Sequence, residues 1–593
     1  MKKIKIIIKP DNKIIYGQKG DNLGRLLKQN GININDWCNL KGICGQCIVE
    51  IIKGKIKEKV KTKIGYNKIK SRPANYTLAC QVELISDLTI NIPNETFMKE
   101  IKILERGLET KWPINPAVKE YIIKLDEREI KRVKSFQHYL KRKLKNKKLS
   151  INWQALQDLG EIVKKIKQEN NQEKKISLII YENKEILKIE ENFKTKSLGL
   201  AIDLGTTTIV VEAVNLKTGE IIGKESDYNQ QVKFGADILS RIALACSDKS
   251  KLKELKEVVI EGLNQLIKNL AERLKLMPED FLEAVIAGNT TMNHLLLGLP
   301  VDSLAQAPFL SLFSSIAPLK AVEVGLKINP RGRIYLAPNI QGFVGGDISA
   351  GLLATNFFAS TGPLAFIDLG TNGEIALKNN KHIIVTSTAA GPAFEGASLS
   401  CGLPAIPGAI SRVKLVNGKK QIETINNLPA KGICGSGLVD LLAIFLQQGI
   451  IEPSGKIAQG KDKINLLENI FLTQEDIRQA QLACAAIKAG LKLLLRILNL
   501  KPHDLKALFL AGGFGQELSI ENSQVIGLIP HLDLEKIFFV GNTSLAGASL
   551  LLLNQPSRKN LLSFLKRIKY ISLANQEDFQ TYFLEALRFE PWP

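Results

Sequence analysis

Apolar and charged residues alternate at the start of the chain. KIKIIIK (3–9) and KIIYG (13–17) carry the period of two that a half-buried strand requires, and together they predict a hairpin. NLGRLLKQNG (22–31) changes to helical spacing and closes on Gly31. CIVEIIKGKI (47–56) and DLTINIP (87–93) supply later strands. TFMKEIKILERGLETKWPINP (96–116) predicts a short helix and then a break at Pro113 and Pro116, a segment suited to a semi-rigid spacer. Strand-like KEYIIKL (119–125), a helix over NWQALQDLGEIVKKI (152–166) and strands in KISLIIYENKEILKIE (175–190) are enough for a small α/β domain. No catalytic constellation falls in it, so it reads as a scaffold or docking module.

From about residue 198 the texture becomes Gly-rich α/β, and the pattern repeats. LAIDLGTTTIVVEAV (200–214) is answered by AFIDLGTNGEIALKN (365–379), each a buried strand, an Asp, a Gly-Thr turn and a second strand. EAVIAGNTTMNHLLLG (283–298) is echoed by KALFLAGGFGQELS (506–519), with FFVGNTSLAGASLLL (538–552) following. Two copies of one strand-turn-strand unit predict two similar lobes facing each other across a cleft.

Composition sets the outer bounds. At roughly 100–200 residues per domain, a chain of 593 residues holds several domains. Apolar residues make up 45% and charged residues 24%, which excludes wholesale disorder. No window approaches the ~18 consecutive apolar residues of a membrane span. The opening MKKIKIIIKPDNK is punctuated by charge and does not read as a secretory signal. A soluble cytoplasmic protein without a membrane partner is expected. The formal charge of +22 is concentrated before residue 200, and residues 131–148 hold nine basic residues and no acidic one. Their apolar positions recur at near-helical spacing, so the run reads first as a solvated helix face; the same surface also suits phosphates or an acidic protein. No zinc-finger or RNA-recognition signature accompanies it, so nucleic acid is not the expected partner.

Cysteine usage divides the chain. Cys38, Cys44, Cys47 and Cys80 form C-x5-C-x2-C-x32-C in the first 80 of the chain's residues. Clustered cysteines in a cytosolic chain favour a metal over a disulfide framework. Four thiolates suit two iron atoms, and Gly42 and Gly45 allow the backbone to turn around a cluster. Zinc also takes four thiolates, usually as two C-x2–4-C knuckles, and only Cys44 and Cys47 make such a pair. With its flanking strands, the segment resembles [2Fe–2S] ferredoxins of the β-grasp fold. The plant pattern has C-x4-C-x2-C, and the extra residue here moves the sequence toward adrenodoxin-like and bacterial variants. Cys246, Cys401, Cys434 and Cys484 have no ligand-spaced neighbour and read as small buried hydrophobes. The histidines at 138, 294, 382, 503 and 531 form no metal motif.

The repeated turns carry phosphate chemistry. Gly205 and Gly370 let the backbone approach a phosphate, and the amides of Thr206, Thr207, Thr371 and Asn372 offer donors to its oxygens. Asp203 and Asp368, the catalytic candidates, stand at the mouths of their strands, where a carboxylate holds hydrated Mg2+ or orients an attacking water. A P-loop signature is missing. This region resembles the actin-like ATPase superfamily of acetate and sugar kinases, heat-shock chaperones and actin, whose core is ribonuclease-H-like. The resemblance matches residues 203–208 to the first phosphate motif, 368–373 to the second and 511–515 (AGGFG) to the adenosine motif, where Gly512 and Gly513 would lie against the nucleoside. Asp237 in FGADILSRI, Asp347 in QGFVGGD, Glu395 in AGPAFEGA and the GICGSG run at 432–437 either line the cleft or make structural turns.

The expected architecture is multidomain α/β: a ferredoxin-like domain (1–95), a linker (96–116), a small α/β middle domain (117–196) and an actin-like ATPase of two lobes (197–593). This order of parts resembles the reductive activators of corrinoid proteins. The resemblance implies a [2Fe–2S] cluster held by Cys38, Cys44, Cys47 and Cys80, together with ATP and Mg2+. It further implies an electron from a low-potential cellular donor, delivered in an ATP-dependent step that returns a corrinoid protein from inactive Co(II) to Co(I). The partner is then a corrinoid iron–sulfur protein or a corrinoid methyltransferase subunit, and pairing into a homodimer is left open. Two other functions are compatible with the sequence. One is an ATP-driven electron donor to another low-potential enzyme, although relatives of that kind carry a [4Fe–4S] cluster shared between subunits. The other is a small-molecule kinase or binding module with a redox-sensing appendage.

Overall fold

The computed structural model describes residues 3–9, 13–30, 32, 34, 47–58, 73, 75–93, 114–130, 132–169, 174–191, 196–235, 237–396, 399–416, 418–460, 462–512 and 518–592. Cys38, Cys44, Gly31, Gly42, Gly45, Lys131, Gly513 and most of the expected linker lie outside the described residues. Residues 1–101 with 230–236 form one compact unit, and residues 102–229 with 237–593 form another.

In the first unit, β1 (Ile4–Lys9) and β2 (Lys13–Gly17) pair antiparallel as the alternation predicts, and the β1 residues Ile4, Ile6 and Ile8 are buried. β3 (Ile48–Lys53), β4 (Ile56–Glu58), β5 (Tyr76–Leu78), β6 (Val82–Leu84) and β7 (Leu88–Asn91) follow. The main sheet has the order β2-β1-β7-β3-β5, with β7 parallel to β1, and β4 pairs with β6. Helix α1 (Leu23–Gln29) buries Leu23, Leu26 and Leu27 with Ile6, Val49, Leu78 and Ile90. This is the β-grasp arrangement the sequence implied.

The second unit begins with a four-stranded sheet of order β8-β10-β11-β9, built from β8 (Val118–Leu125), β9 (Ser150–Ile151), β10 (Lys174–Tyr181) and β11 (Glu185–Glu190). Helices α2 (Phe136–Lys143) and α3 (Trp153–Glu169) pack on it through Tyr139, Leu140, Ala155, Leu159 and Ile162. The basic run is therefore not one helix. Ser135 caps α2 by accepting the His138 N–H, and Lys145 takes a positive φ of 50° that ends it after two turns.

Two larger sheets follow. The first lobe contains β12 (Leu198–Leu204), β13 (Thr208–Asn215), β14 (Ile221–Tyr228), β15 (Phe281–Gly288), β16 (Leu319–Lys320) and β17 (Arg333–Leu336) in the order β14-β13-β12-β15-β17-β16. Its longer helices are α4 (Ile238–Ser247), α5 (Lys249–Arg273), α6 (Thr290–Leu297) and α7 (Gly346–Ala354). The second lobe starts with β18 (Leu364–Leu369), β19 (Gly373–Lys378) and β20 (Ile383–Thr388). A three-stranded sheet of β21 (Ala409–Val416), β22 (Lys419–Thr424) and β23 (Gly432–Ile433), helix α8 (Gly435–Gln447), the hairpin β24 (Lys463–Leu467)–β25 (Ile470–Thr473) and helix α9 (Gln474–Ile497) are inserted before the sheet resumes. It then adds β26 (Ala507–Ala511), β27 (Ile537–Gly541) and β28 (Ile568–Tyr570), in the order β27-β26-β18-β19-β20-β28.

The two lobes share one plan. β12, β13 and β14 form an antiparallel meander extended by parallel β15 and β17; β18, β19 and β20 form the same meander extended by parallel β26 and β27. The two sequence echoes occupy matching strands. Helix α10 (Thr543–Leu553) leaves the second lobe at β27 but packs on the first, where Leu552 fills the space beside Gly199. Helix α11 (Gln555–Leu565) follows it. Among the described residues no helix is long and apolar enough to cross a membrane.

Candidate functional site

Of the four cluster candidates, Cys47 and Cys80 are described, and both are buried, at 1% and 8% exposure. The Ala79 N–H donates to the Cys47 carbonyl at 2.7 Å, which brings the two cysteine segments side by side. Asn22 caps α1 by accepting the Arg25 N–H and also donates to the Cys80 carbonyl at 2.8 Å. Two sheltered thiols on adjoining segments fit the donor set of an iron–sulfur site. The remaining cysteines divide. Cys434 and Cys484 are buried as expected, whereas Cys246 lies on the outward face of α4 and Cys401 is half-buried.

The second unit brings acidic side chains from both lobes into one cleft. Asp203 is the penultimate residue of β12, and Asp368 the penultimate residue of β18. Glu374 lies directly across from Asp368 in the β18–β19 pair and accepts a hydrogen bond from Ser387 at 3.1 Å. Asp347 occupies the first turn of α7, and Glu395 accepts the Thr371 hydroxyl at 2.9 Å. Burial pushes Asp368 up to about 7, helped by the charges of Asp347, Asp203 and Glu395. Burial also lifts Asp347 to about 7, assisted by Asp203, and drives Glu374 well above the carboxylate range, assisted by Asp347 and Asp368. Glu395 is raised by burial against the opposing Thr371 bonds. Asp203 is raised as well, though Ser544, Asn542 and Lys224 counter the burial. Such mutual repulsion is what a cation would relieve. Among the described residues no group of three or more His, Cys, Asp or Glu side chains is arranged to hold a metal directly.

The turns around these acids are held from behind. A Cβ at Gly205 would lie 2.5 Å from the Thr208 carbonyl, so only glycine fits there. The Gly205 carbonyl accepts from Asn229 (2.8 Å), the Thr206 carbonyl from the buried Arg241 (2.6 Å) and the Thr207 carbonyl from the Asn229 N–H (2.8 Å). In the second hairpin Gly370 donates to the Asn372 carbonyl, and the Thr371 carbonyl accepts from Gly391. Gly512 has a φ of 105°, and a Cβ there would meet the Leu369 carbonyl at 2.4 Å and Asp368 Oδ1 at 3.0 Å. The first glycine of AGGFG is thus pressed against the second Asp-Gly-Thr turn. Arg412, Lys414, Asp440, Ser519, Glu521 and Asn522 help line a cavity of about 310 Å³ that none of the five carboxylates borders.

The less specific motifs separate. Asp347 and Glu395 join the acidic cleft. Asp237 instead caps α4, accepting from the Ser240 N–H (2.9 Å) and hydroxyl (2.6 Å), which hold it ionised below the usual range against the burial. The GICGSG run forms β23 and the start of α8, where Gly435 packs against the Phe394 carbonyl. Sequence reasoning missed Glu374, Asn289, Asn542 and Ser544. Asn542 and Ser544 donate to the two oxygens of Asp203, and Asn289 donates to the Thr206 hydroxyl. The repeated Gly-Asn-Thr was the available signal.

Comparison with known proteins gives matches along nearly the whole chain. Residues 6–84 match a "2Fe-2S iron-sulfur cluster binding domain", residues 198–360 the "RACo middle region" and residues 363–591 the "C-terminal domain of RACo the ASKHA domain". The chain is 31% identical over 588 residues to the corrinoid activation enzyme RamQ of Eubacterium limosum, covering 94% of each. It is 26% identical over 426 residues to a reductase of the Co(II) methylated amine-specific corrinoid protein from Methanosarcina barkeri, covering 66% of this chain and 77% of that one. A solved reductive activator for corrinoid, iron–sulfur protein superposes with a TM-score of 0.74 at 32% identity, over 99% of this chain and 98% of the other.

Proposed function

The chain belongs to the family of reductive activators of corrinoid proteins, and we propose that it returns a corrinoid protein from Co(II) to Co(I) by delivering one electron in an ATP-dependent step. The observation that carries this reading is the joining, in one chain, of a buried cysteine pair in a β-grasp unit to a duplicated fold whose facing Asp-Gly-Thr turns share an acidic cleft. We divide the chain into a ferredoxin-like domain (1–95), a linker (96–116), a middle domain (117–196) and an ATPase (197–593), working in the cytoplasm.

Cys38, Cys44, Cys47 and Cys80 would hold the cluster. A bound [2Fe–2S] cluster supplies a one-electron carrier, typically near about −400 mV in plant-type domains. Shelter of Cys47 and Cys80 excludes water from half of the ligand set. In the cleft, the amides of Thr206, Thr207, Thr371 and Asn372 take the phosphates, with Gly205 and Gly370 letting the backbone approach. Gly512 and Gly513 of the AGGFG motif would take the nucleoside. Asp203 and Asp368 would orient the attacking water and hold a hydrated Mg2+, which would supply positive charge against the repulsion among the carboxylates.

Co(I) is a stronger reductant than such a cluster, so the electron moves uphill, and each ~100 mV of gap costs about 2.3 kcal/mol. Nucleotide binding drives such a transfer only by favouring one state of the complex over another. We assign that role to closure of the two lobes, with hydrolysis releasing the partner. The electron comes from a low-potential cellular donor, and the partner is a corrinoid iron–sulfur protein or a corrinoid methyltransferase subunit.

Variants separate the two halves. Asp203→Ala and Asp368→Ala are expected to keep the visible spectrum of the cluster and lose hydrolysis by about 100-fold or more, the scale of a lost electrostatic element. Cys47→Ser is expected to lose the cluster spectrum and keep ATP hydrolysis. Hydrolysis at the original rate in Asp203→Ala would refute this reading of the cleft.

A further inference from the structure

Gly-Asn-Thr occurs at 288–290 and again at 541–543, and both copies end a strand and begin a helix. In each, the Asn side-chain oxygen accepts the N–H three residues on, from Met292 and from Leu545, both at 2.9 Å. Capping alone does not require asparagine, because Asp or Ser caps as well. The amide nitrogens supply the difference. Asn289 Nδ2 donates to Thr206 Oγ1 at 2.9 Å, and Asn542 Nδ2 donates to Asp203 Oδ2 at 2.7 Å. Both Gly-Asn-Thr turns therefore reach the same hairpin, one from each lobe. Ser544 adds a third bond, its hydroxyl donating to Asp203 Oδ1 at 2.7 Å.

The helix that carries Asn542 and Ser544 is itself pinned to the first lobe. Ser549 donates to Glu212 of β13 at 2.8 Å. A Cβ at Gly547 would lie 2.2 Å from the Ala350 carbonyl of α7, and one at Gly351 would lie 2.6 Å from the Thr543 hydroxyl. Glycines at both positions let α7 and α10 touch backbone to backbone, which fixes where the two donors stand.

We infer that Asn542 and Ser544, at the start of α10, are positioning residues that set the plane of the Asp203 carboxylate, so that the first lobe's site is complete only with α10 in place. The inference rests on the proposed role of Asp203 in hydrolysis. Two charge-assisted donors on different oxygens fix the rotation of a carboxylate about its terminal bond. A carboxylate has about four lone-pair positions, and two bonds leave about two for a water or a hydrated cation. Lys224 of β14 and the carboxylates of Asp347 and Asp368 act on Asp203 through charge alone, which fixes no orientation.

The test uses the full-length protein with its cluster. Ser544→Ala removes one donor, Ser544→Thr keeps the hydroxyl, and Asn542→Asp keeps the helix cap but replaces the amide donor by a second carboxylate. For Ser544→Ala the expected result is a fall in kcat for ATP of about tenfold with KM within about twofold, the pattern of an interaction expressed in the transition state. Ser544→Thr restores kcat to within about threefold. Asn542→Asp loses at least as much as Ser544→Ala, because a carboxylate in place of the amide repels Asp203 instead of donating to it. Wild-type kcat in both Ser544→Ala and Asn542→Asp would overturn the inference, as would a Thr variant as slow as the Ala variant. If those variants behave as wild type while Asp203→Ala is inactive, only the positioning claim fails. If Asp203→Ala is as active as wild type, the cleft reading fails with it.

Discussion

Arg558 of α11 is buried, and its guanidinium donates to Glu283 of β15 at 2.9 Å and to the Tyr181 hydroxyl of β10 at 3.2 Å, while Tyr181 donates to Glu283 at 3.1 Å. Its face also lies 4.4 Å from the Tyr335 ring centre. One residue near the end of the chain thus ties the small four-stranded sheet to the first lobe. Removing it strands a buried carboxylate, so Arg558→Ala is expected to lower unfolding free energy by about 3–5 kcal/mol in denaturant titration. Among the described residues Glu283 Oε2 and one Arg558 nitrogen find no hydrogen-bond partner, so the pair is incompletely satisfied. A double change to Glu283→Leu and Arg558→Met is expected to recover most of that loss. The acidic cleft makes a second prediction at this scale. Asp347 and Asp368 hold their protons up to about 7 when folded, against an ordinary carboxylate value when unfolded. The native state then binds more protons between those limits, and stability falls as pH rises through the window. Asp368→Asn is expected to flatten that fall in melting temperature for the nucleotide-free protein; an unchanged slope would contradict it.

Elements follow the sequence where turn chemistry and period agree. The hairpins flanking Asp203 and Asp368 were legible because an apolar strand, an Asp and a Gly-Thr turn have few other readings, and the matching strand orders follow from the repeat. Helix α2 was overdrawn because apolar periodicity continues through 131–148, while Ser135 and Lys145 cut it to eight residues. Glu374 was not legible as part of the site. In sequence it is one polar position in an alternating strand, and only the β18–β19 register sets it against Asp368. Asn542 carried no assigned role in the sequence, because its bond to Asp203 depends on α10 crossing to the first lobe. That crossing is itself testable. Gly547→Val would drive a branched side chain into the Ala350 carbonyl, and overpacking of this kind costs about 1–3 kcal/mol. The expected outcome is a lowered melting temperature together with slower ATP hydrolysis, because the helix that carries Asn542 and Ser544 is displaced.

At the scale of the whole molecule, the chain combines an electron-carrying unit with a nucleotide-hydrolysing one and carries a formal charge of +22. A charge of that size speeds encounter with acidic partners at low salt. Raising salt from about 0.05 M to about 0.5 M is therefore expected to slow activation of an acidic corrinoid protein more than it slows ATP hydrolysis. On the proposed function, ATP is needed to move an electron from this chain to cobalt. This requirement is tested most directly by mixing the anaerobic, chemically reduced protein with a Co(II) corrinoid protein and recording visible spectra with and without Mg-ATP. Growth of the Co(I) band only when Mg-ATP is present is the predicted result. Equal growth of that band without nucleotide would show that the electron passes to cobalt without ATP.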